Sequence, residues 1–259
     1  MSKIQKAFDG HKAFLAFVTA GDPSLEKTEE YILAMEQAGA DLIELGIPFS
    51  DPTAEGPVIQ DANIRALKHG ATVEGVFEMV ESLRKKSSIP LVFLTYLNPV
   101  FHYGYEAFFT RCEAVGVDGI IIPDLPYEEK GEVADIAAVH GVDLIPLIAP
   151  TSEQRIQMIA KEAKGFIYVV SSMGVTGVRE EIKTDLASIV AAIRQVTNIP
   201  TAIGFGISTP AQAEQMAATS DGAIVGSAIV KIIAEYGEKA AAPLADYVRS
   251  MKAAVLQAD

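Results

Sequence analysis

Short apolar runs alternate with longer stretches of helical period along this 259-residue chain. The runs are Ala13 to Val18, Leu42 to Leu45, Leu91 to Thr95, Gly119 to Ile122, Asp143 to Ile148, Phe166 to Ser171, Thr201 to Phe205 and Gly222 to Val225. They are rich in Ile, Val and Leu and apolar on both faces, as parallel strands buried on both sides should be. The stretches between them carry helix start signals. Asp22-Pro23-Ser24 opens a helix with Tyr31, Ile32, Met35 and Ala38 at helical spacing; Ser152, ahead of Arg155 and Ile156, opens another. Thr209-Pro210 sets a capping hydroxyl before a first-turn proline. The junctions AGAD, VGVD and HGVD read as a helix end, a left-handed glycine and a new strand. Lys239 to Gln257 reads as a last packing helix, with Leu244, Tyr247, Val248, Met251 and Val255 on one face.

Eight βα units in succession, without a Pro/Ser-rich linker or a composition shift, predict an α/β protein: a single (βα)8 TIM barrel over residues 1–259, with extra N-terminal and loop helices. An open doubly wound sheet is the alternative architecture.

Composition narrows the choice of partner. The formal net charge of -13 disfavours nucleic acid and anionic membrane surfaces. A pocket for one phosphate remains open, because backbone N–H groups supply it without cations. A single cysteine, Cys112, allows no internal disulfide and reads as a buried small hydrophobe. The start, MSKIQKAF, has no apolar signal region, and no apolar stretch is long enough to span a membrane, so a cytoplasmic location is expected. His11, His69, His102 and His140 are scattered without ligand spacing, so no metal is expected. No run holds a lysine poised for a Schiff base.

Barrel chemistry sits at the C-terminal strand ends. Glu44 stands inside the second apolar run, between Ile43 and Leu45, where a carboxylate must find a partner or take up a proton. A structural glutamate bonded to backbone or to a neighbouring hydroxyl is the plainer reading; its place beneath a long polar loop favours proton exchange. That loop, Gly46 to Gly56, is stiffened by Pro48 and Pro52 and carries Ser50, Asp51 and Glu55. Spacing alone makes it a solvated acidic loop, although it is long enough to fold Glu55 over Glu44. The sixth, seventh and eighth runs end in SSMGVTG, GFGIS and GSAIVK. Small residues there, with Gly226-Ser227 opening a helix, predict a phosphate site.

These segments resemble the alpha chain family of tryptophan synthase. ELGIPFSDP followed by GPVIQ, at Glu44 to Gln60, matches that family's signature. FVTAGDP at Phe17 to Pro23, TYLNP at Thr95 to Pro99, IPDLP at Ile122 to Pro126, GVTG at Gly174 to Gly177, GFGIS at Gly204 to Ser208 and GSAIVK at Gly226 to Lys231 follow in order. The resemblance implies cofactor-free retro-aldol cleavage of indole-3-glycerol phosphate to indole and glyceraldehyde 3-phosphate. It implies Glu44 as the acid–base group, Glu55 as the second acid and Tyr168 beside the glycerol portion. Gly177, Gly206, Gly226 and Ser227 would hold the phosphate, and Phe17, Leu94, Tyr96 and Ile121 would wall the indole. A PLP-dependent beta chain is the implied partner, in an αββα complex facing Asp51 to Gly56 and Asn98 to Tyr103. Residues 172–184 would close over substrate. One position departs from the pattern: the family's second acid is an aspartate in ADGP, and this chain reads AEGP. That leaves a weakly active subunit, binding ligand and mainly activating the beta chain, as the second reading. Another phosphosugar barrel, an isomerase or the synthase that makes indole-glycerol phosphate, is disfavoured because no lysine or histidine stands at a run's end.

Overall fold

The computed structural model describes residues 2–170, 185–204 and 206–258. Its elements run α1 (Lys3–Lys6), β1 (Ala13–Thr19), α2 (Leu25–Gln37), β2 (Leu42–Gly46), α3 (Pro57–Lys68), α4 (Val73–Arg84), β3 (Leu91–Leu94), α5 (Leu97–Tyr103), α6 (Tyr105–Val115) and β4 (Gly119–Ile121). A 3-10 turn (Tyr127–Glu132), α7 (Ala134–Val139), β5 (Asp143–Leu144), β6 (Leu147–Ile148), α8 (Glu153–Ala160), β7 (Ile167–Val170), α9 (Leu186–Arg194), β8 (Thr201–Gly204), α10 (Pro210–Thr219), β9 (Gly222–Val225), α11 (Ser227–Tyr236) and α12 (Ala241–Leu256) complete the chain.

All pairings are parallel, in the order β5-β4-β3-β2-β1-β9-β8-β7-β6. One expectation is corrected here. The fifth apolar run is two short strands rather than one, because Pro146 has no N–H to offer a ladder. The segment changes partner across the break: Ile145 N donates to Ile120 O at 2.9 Å, whereas Pro146 O accepts from Tyr168 N at 3.0 Å. β5 and β6 are therefore halves of one stave, and the chain itself joins the two ends of the sheet. Eight staves close a (βα)8 barrel, which settles the ring against the open sheet.

Side chains alternate between two cores, as the strand pleat requires. Leu15, Leu42, Val92, Ile121, Phe166, Tyr168, Ala202 and Ile224 share the barrel interior. Phe14, Val18, Ile43, Leu45, Phe93 and Ile120 face the helices instead. The N-terminal helix seals the interior from below: Ile4 and Phe8 join the interior cluster, with the Phe8 and Phe166 ring centroids 5.8 Å apart.

Helix starts follow the sequence signals. Ser24 accepts a hydrogen bond from Lys27 N, Ser152 from Arg155 N, and Thr209 forms a reciprocal capping box with Gln212. Gly39, Gly116 and Gly141, at the three junctions, all take positive φ. The last helix begins later than expected, at Ala241, after a 3-10 turn over Gly237–Lys239. Cys112 is buried in α6, and burial raises its thiol well above the usual range, so it stays protonated. Among the described residues no helix is long and apolar enough to cross a membrane, and no group of three or more His, Cys, Asp or Glu is placed to hold a metal.

Candidate active site

β2 carries Glu44 into the interior between two apolar neighbours, Phe17 on β1 and Val92 on β3. The side chain is 1% exposed, and among the described residues its Oε1 has no hydrogen-bond partner. Loss of solvation alone pushes the Glu44 carboxyl up to about 8, so both protonation states are available near neutrality.

The loop after β2 brings the second acid in. Glu55 is 6% exposed, which corrects the reading of this stretch as solvated throughout: Ser50 and Asp51 are exposed, Glu55 is not. Burial lifts the Glu55 carboxyl to about 7, while hydrogen bonds from Asn63 and Tyr96 pull it the other way. Asn63 Nδ2 donates to Glu55 Oε2 at 3.3 Å, and the Tyr96 hydroxyl accepts from Ala54 N at 2.9 Å. α3 is itself anchored to the loop after β1: Arg65 grips buried Asp22 through two bonds of 2.8 Å each.

Tyr168, on β7, points inward from the opposite wall. Its hydroxyl feels the charge of both Glu44 and Glu55, and burial with those charges holds the phenol well above its usual range. The phenol lies where a Cβ at Gly204 on β8 would sit, so only glycine leaves room for it. The three predicted catalytic side chains therefore meet in one interior space.

The expected indole walls are placed as follows. Phe17 forms an apolar cluster with Ile59, Ala62 and Val230, and Leu94 packs against both this cluster and the one containing Ile121. Tyr96 is buried, with its ring 5.5 Å from that of Phe49. Its hydroxyl against Glu55 gives it a polar task in addition to its apolar one. Just after β8 ends, Gly206 has φ 86°, a left-handed turn that favours glycine. Gly226 precedes α11 without a capping side chain, and Ser227 begins that helix. Gly177 and the proposed closing segment, residues 172–184, lie outside the described residues.

Sequence reasoning missed three contributors. Ile59 and Ala62 were hidden in the helix after the acidic loop, although their helical spacing to one face was readable. Asn63, also on α3, gave no signal.

The model of the family described as tryptophan synthase alpha chain matches residues 4–256. The chain is 54% identical over 256 residues to the tryptophan synthase alpha chain of Lactiplantibacillus plantarum, covering 98% of this chain and 97% of the relative. It is 52% identical over 255 residues to that of Lacticaseibacillus casei, covering 98% and 96%. Among solved structures it is similar to the alpha chain of Legionella pneumophila, with TM-score 0.87, 36% identity and coverage of 98% and 97%. It is also similar to a chain from Pyrococcus furiosus, solved in a study of mutual activation of the tryptophan synthase α2β2 complex, with TM-score 0.86, 36% identity and coverage of 94% and 99%.

Proposed function

The chain belongs to the tryptophan synthase alpha chain family, and from that premise we propose that Glu44 carries its chemistry. The reaction is the lyase step of tryptophan biosynthesis, cleavage of indole-3-glycerol phosphate to indole and glyceraldehyde 3-phosphate. The observation that carries the assignment is a buried glutamate on β2, inside the barrel within reach of Tyr168, whose carboxyl burial pushes up to about 8.

Protonated Glu44 delivers its proton to indole C3, which places positive charge on the ring nitrogen. The resulting carboxylate takes the proton from the C3′ hydroxyl. The C3–C3′ bond breaks, its electron pair returns to the ring, and the oxygen becomes the aldehyde carbonyl. Glu44 ends protonated, ready for the next turn. Glu55, ionised, stabilises the cationic ring beside N1–H. Tyr168, held neutral, offers a hydroxyl to the glycerol oxygens. Gly206, Gly226 and Ser227 give backbone N–H groups and the N-terminal end of α11 to the phosphate, with Gly177 completing the set. Phe17, Leu94, Ile121 and the Tyr96 ring enclose the indole.

The partner in this reading is a beta chain, in an αββα complex docked on the rim. The Pyrococcus furiosus relative, 36% identical and solved in a study of the tryptophan synthase α2β2 complex, supports this. A cytoplasmic location, a single catalytic domain and cofactor-free chemistry belong to the same reading.

The experiment is indole release from indole-3-glycerol phosphate by the purified chain, alone and with a beta chain. Cleavage is expected, rising with the partner. The Glu44→Gln variant is expected to lose at least about 100-fold in turnover while still binding glycerol phosphate. Turnover near the parent level in Glu44→Gln would end the proton-shuttle assignment. No cleavage by the parent chain, with substrate still bound, would favour the regulatory-subunit reading instead.

A further inference from the structure

Asn63 is 5% exposed on the inward face of α3, and its side-chain amide joins three points of the site. Its Oδ1 accepts from Phe49 N at 3.3 Å, near the start of the loop after β2. Its Nδ2 donates to Glu55 Oε2 at 3.3 Å, at the end of that loop, and to Ile59 O at 3.1 Å on its own helix. A carboxamide has two N–H donors and one carbonyl. Both donors and the acceptor are committed, so no other side chain of this length serves all three partners. Aspartate lacks the donors and would set a second carboxylate against Glu55; leucine lacks everything polar.

The loop so tied is the one that must deliver an acid to an exact place. Glu55 has one methylene more than the aspartate of the ADGP pattern, so its carboxylate has a further rotatable bond to lose. The Tyr96 hydroxyl restrains it from the β3 side, and Gln60 Nε2 holds its carbonyl at 2.7 Å. The Asn63 amide reaches Phe49 N at one end of the loop and the Glu55 carboxylate at the other.

We infer that Asn63 is a positioning residue for cleavage: it fixes the Glu55 carboxylate and the loop that carries it, without touching substrate. The inference rests on the reading of Glu55 as the second acid. Among the described residues, the ionisable groups that bear on Glu55 are Tyr96 and Tyr168; Glu44 also bears on Tyr168, and Asp124 on Tyr96. The Asn63 hydrogen bond favours ionised Glu55, so its loss moves the acidic limb of the turnover profile to higher pH.

The test is a double-mutant cycle on the full chain, with kcat and KM measured for indole-3-glycerol phosphate across pH. Asn63→Ala is expected to lower kcat by about 10- to 100-fold, with KM changed by less than about threefold. Its acidic limb should move up in pH, and the variant should cost nothing further when Glu55 is already alanine. Asn63→Ser, which keeps a small polar group, carries the same cycle if the alanine variant fails to fold. Losses that multiply in the double variant, or an unmoved acidic limb, would overturn the inference and leave the Glu55 assignment standing. Full turnover in Glu55→Ala alone would instead remove the reading on which it rests.

Discussion

Glu44 stays in the barrel interior at a cost to folding, and that cost depends on pH. Below about pH 4.5 the carboxyl is protonated in both folded and unfolded chains, and no penalty arises. Between 4.5 and about 8 the unfolded chain gives up the proton and the folded one keeps it, so stability falls as pH rises. Glutamine does not titrate. Urea unfolding of Glu44→Gln against the parent should therefore show the variant gaining a few kcal/mol between pH 5 and pH 8.5. A difference that stays flat with pH would mean water reaches the carboxyl. Glu55 poses a separate question, because it stands where the family carries aspartate. Glu55→Asp draws the carboxylate back from Asn63 and Tyr96 and should lower kcat; an unchanged or raised kcat would show that the loop shifts to restore both contacts. Glu44 was visible in the sequence because a charge among apolar residues is conspicuous, whereas Glu55 read from spacing as part of a solvated loop and its role came from the family resemblance. Asn63 was not visible, since a lone asparagine on a helix looks like a surface residue until its partner at Phe49 is brought to it by the fold.

At the scale of elements, local signals predicted starts better than continuity. Ser24, Ser152 and Thr209 cap the helices they were expected to cap, since the interaction is complete within four residues. Thr209→Ala removes half of a capping box and should cost about 1 kcal/mol, read as a lowered Tm with turnover retained below the transition. An unchanged Tm would mean the capped turn is already frayed in the parent. The fifth stave was misread because an apolar count from Asp143 to Ile148 ignores the missing N–H of Pro146. The proline was there to be read, and a proline in a central strand is itself an argument for a break. The junction between halves depends on partners elsewhere in the ring, Ile120 and Tyr168, which no window of local sequence contains.

For the molecule as a whole, eight apolar runs were enough to predict the barrel, but not what fills its lower end. An N-terminal helix was expected, but its role appears only once Ile4 and Phe8 are seen among the interior side chains. Ile4→Ala should destabilise the chain by about 2–4 kcal/mol. At temperatures well below the melt, kcat and KM should match the parent, because the lost contacts lie at the end of the barrel away from Glu44. A variant with normal stability would show that the segment merely rests against the barrel. The sealed lower end also makes the molecule a cup and not a pipe. Among the described residues, the filled lower end leaves the brim as the side from which a molecule enters. A protein seated on that brim controls traffic in both directions simply by where it sits. Coupling between such a neighbour and the contents of the cup then needs no signal carried through the walls.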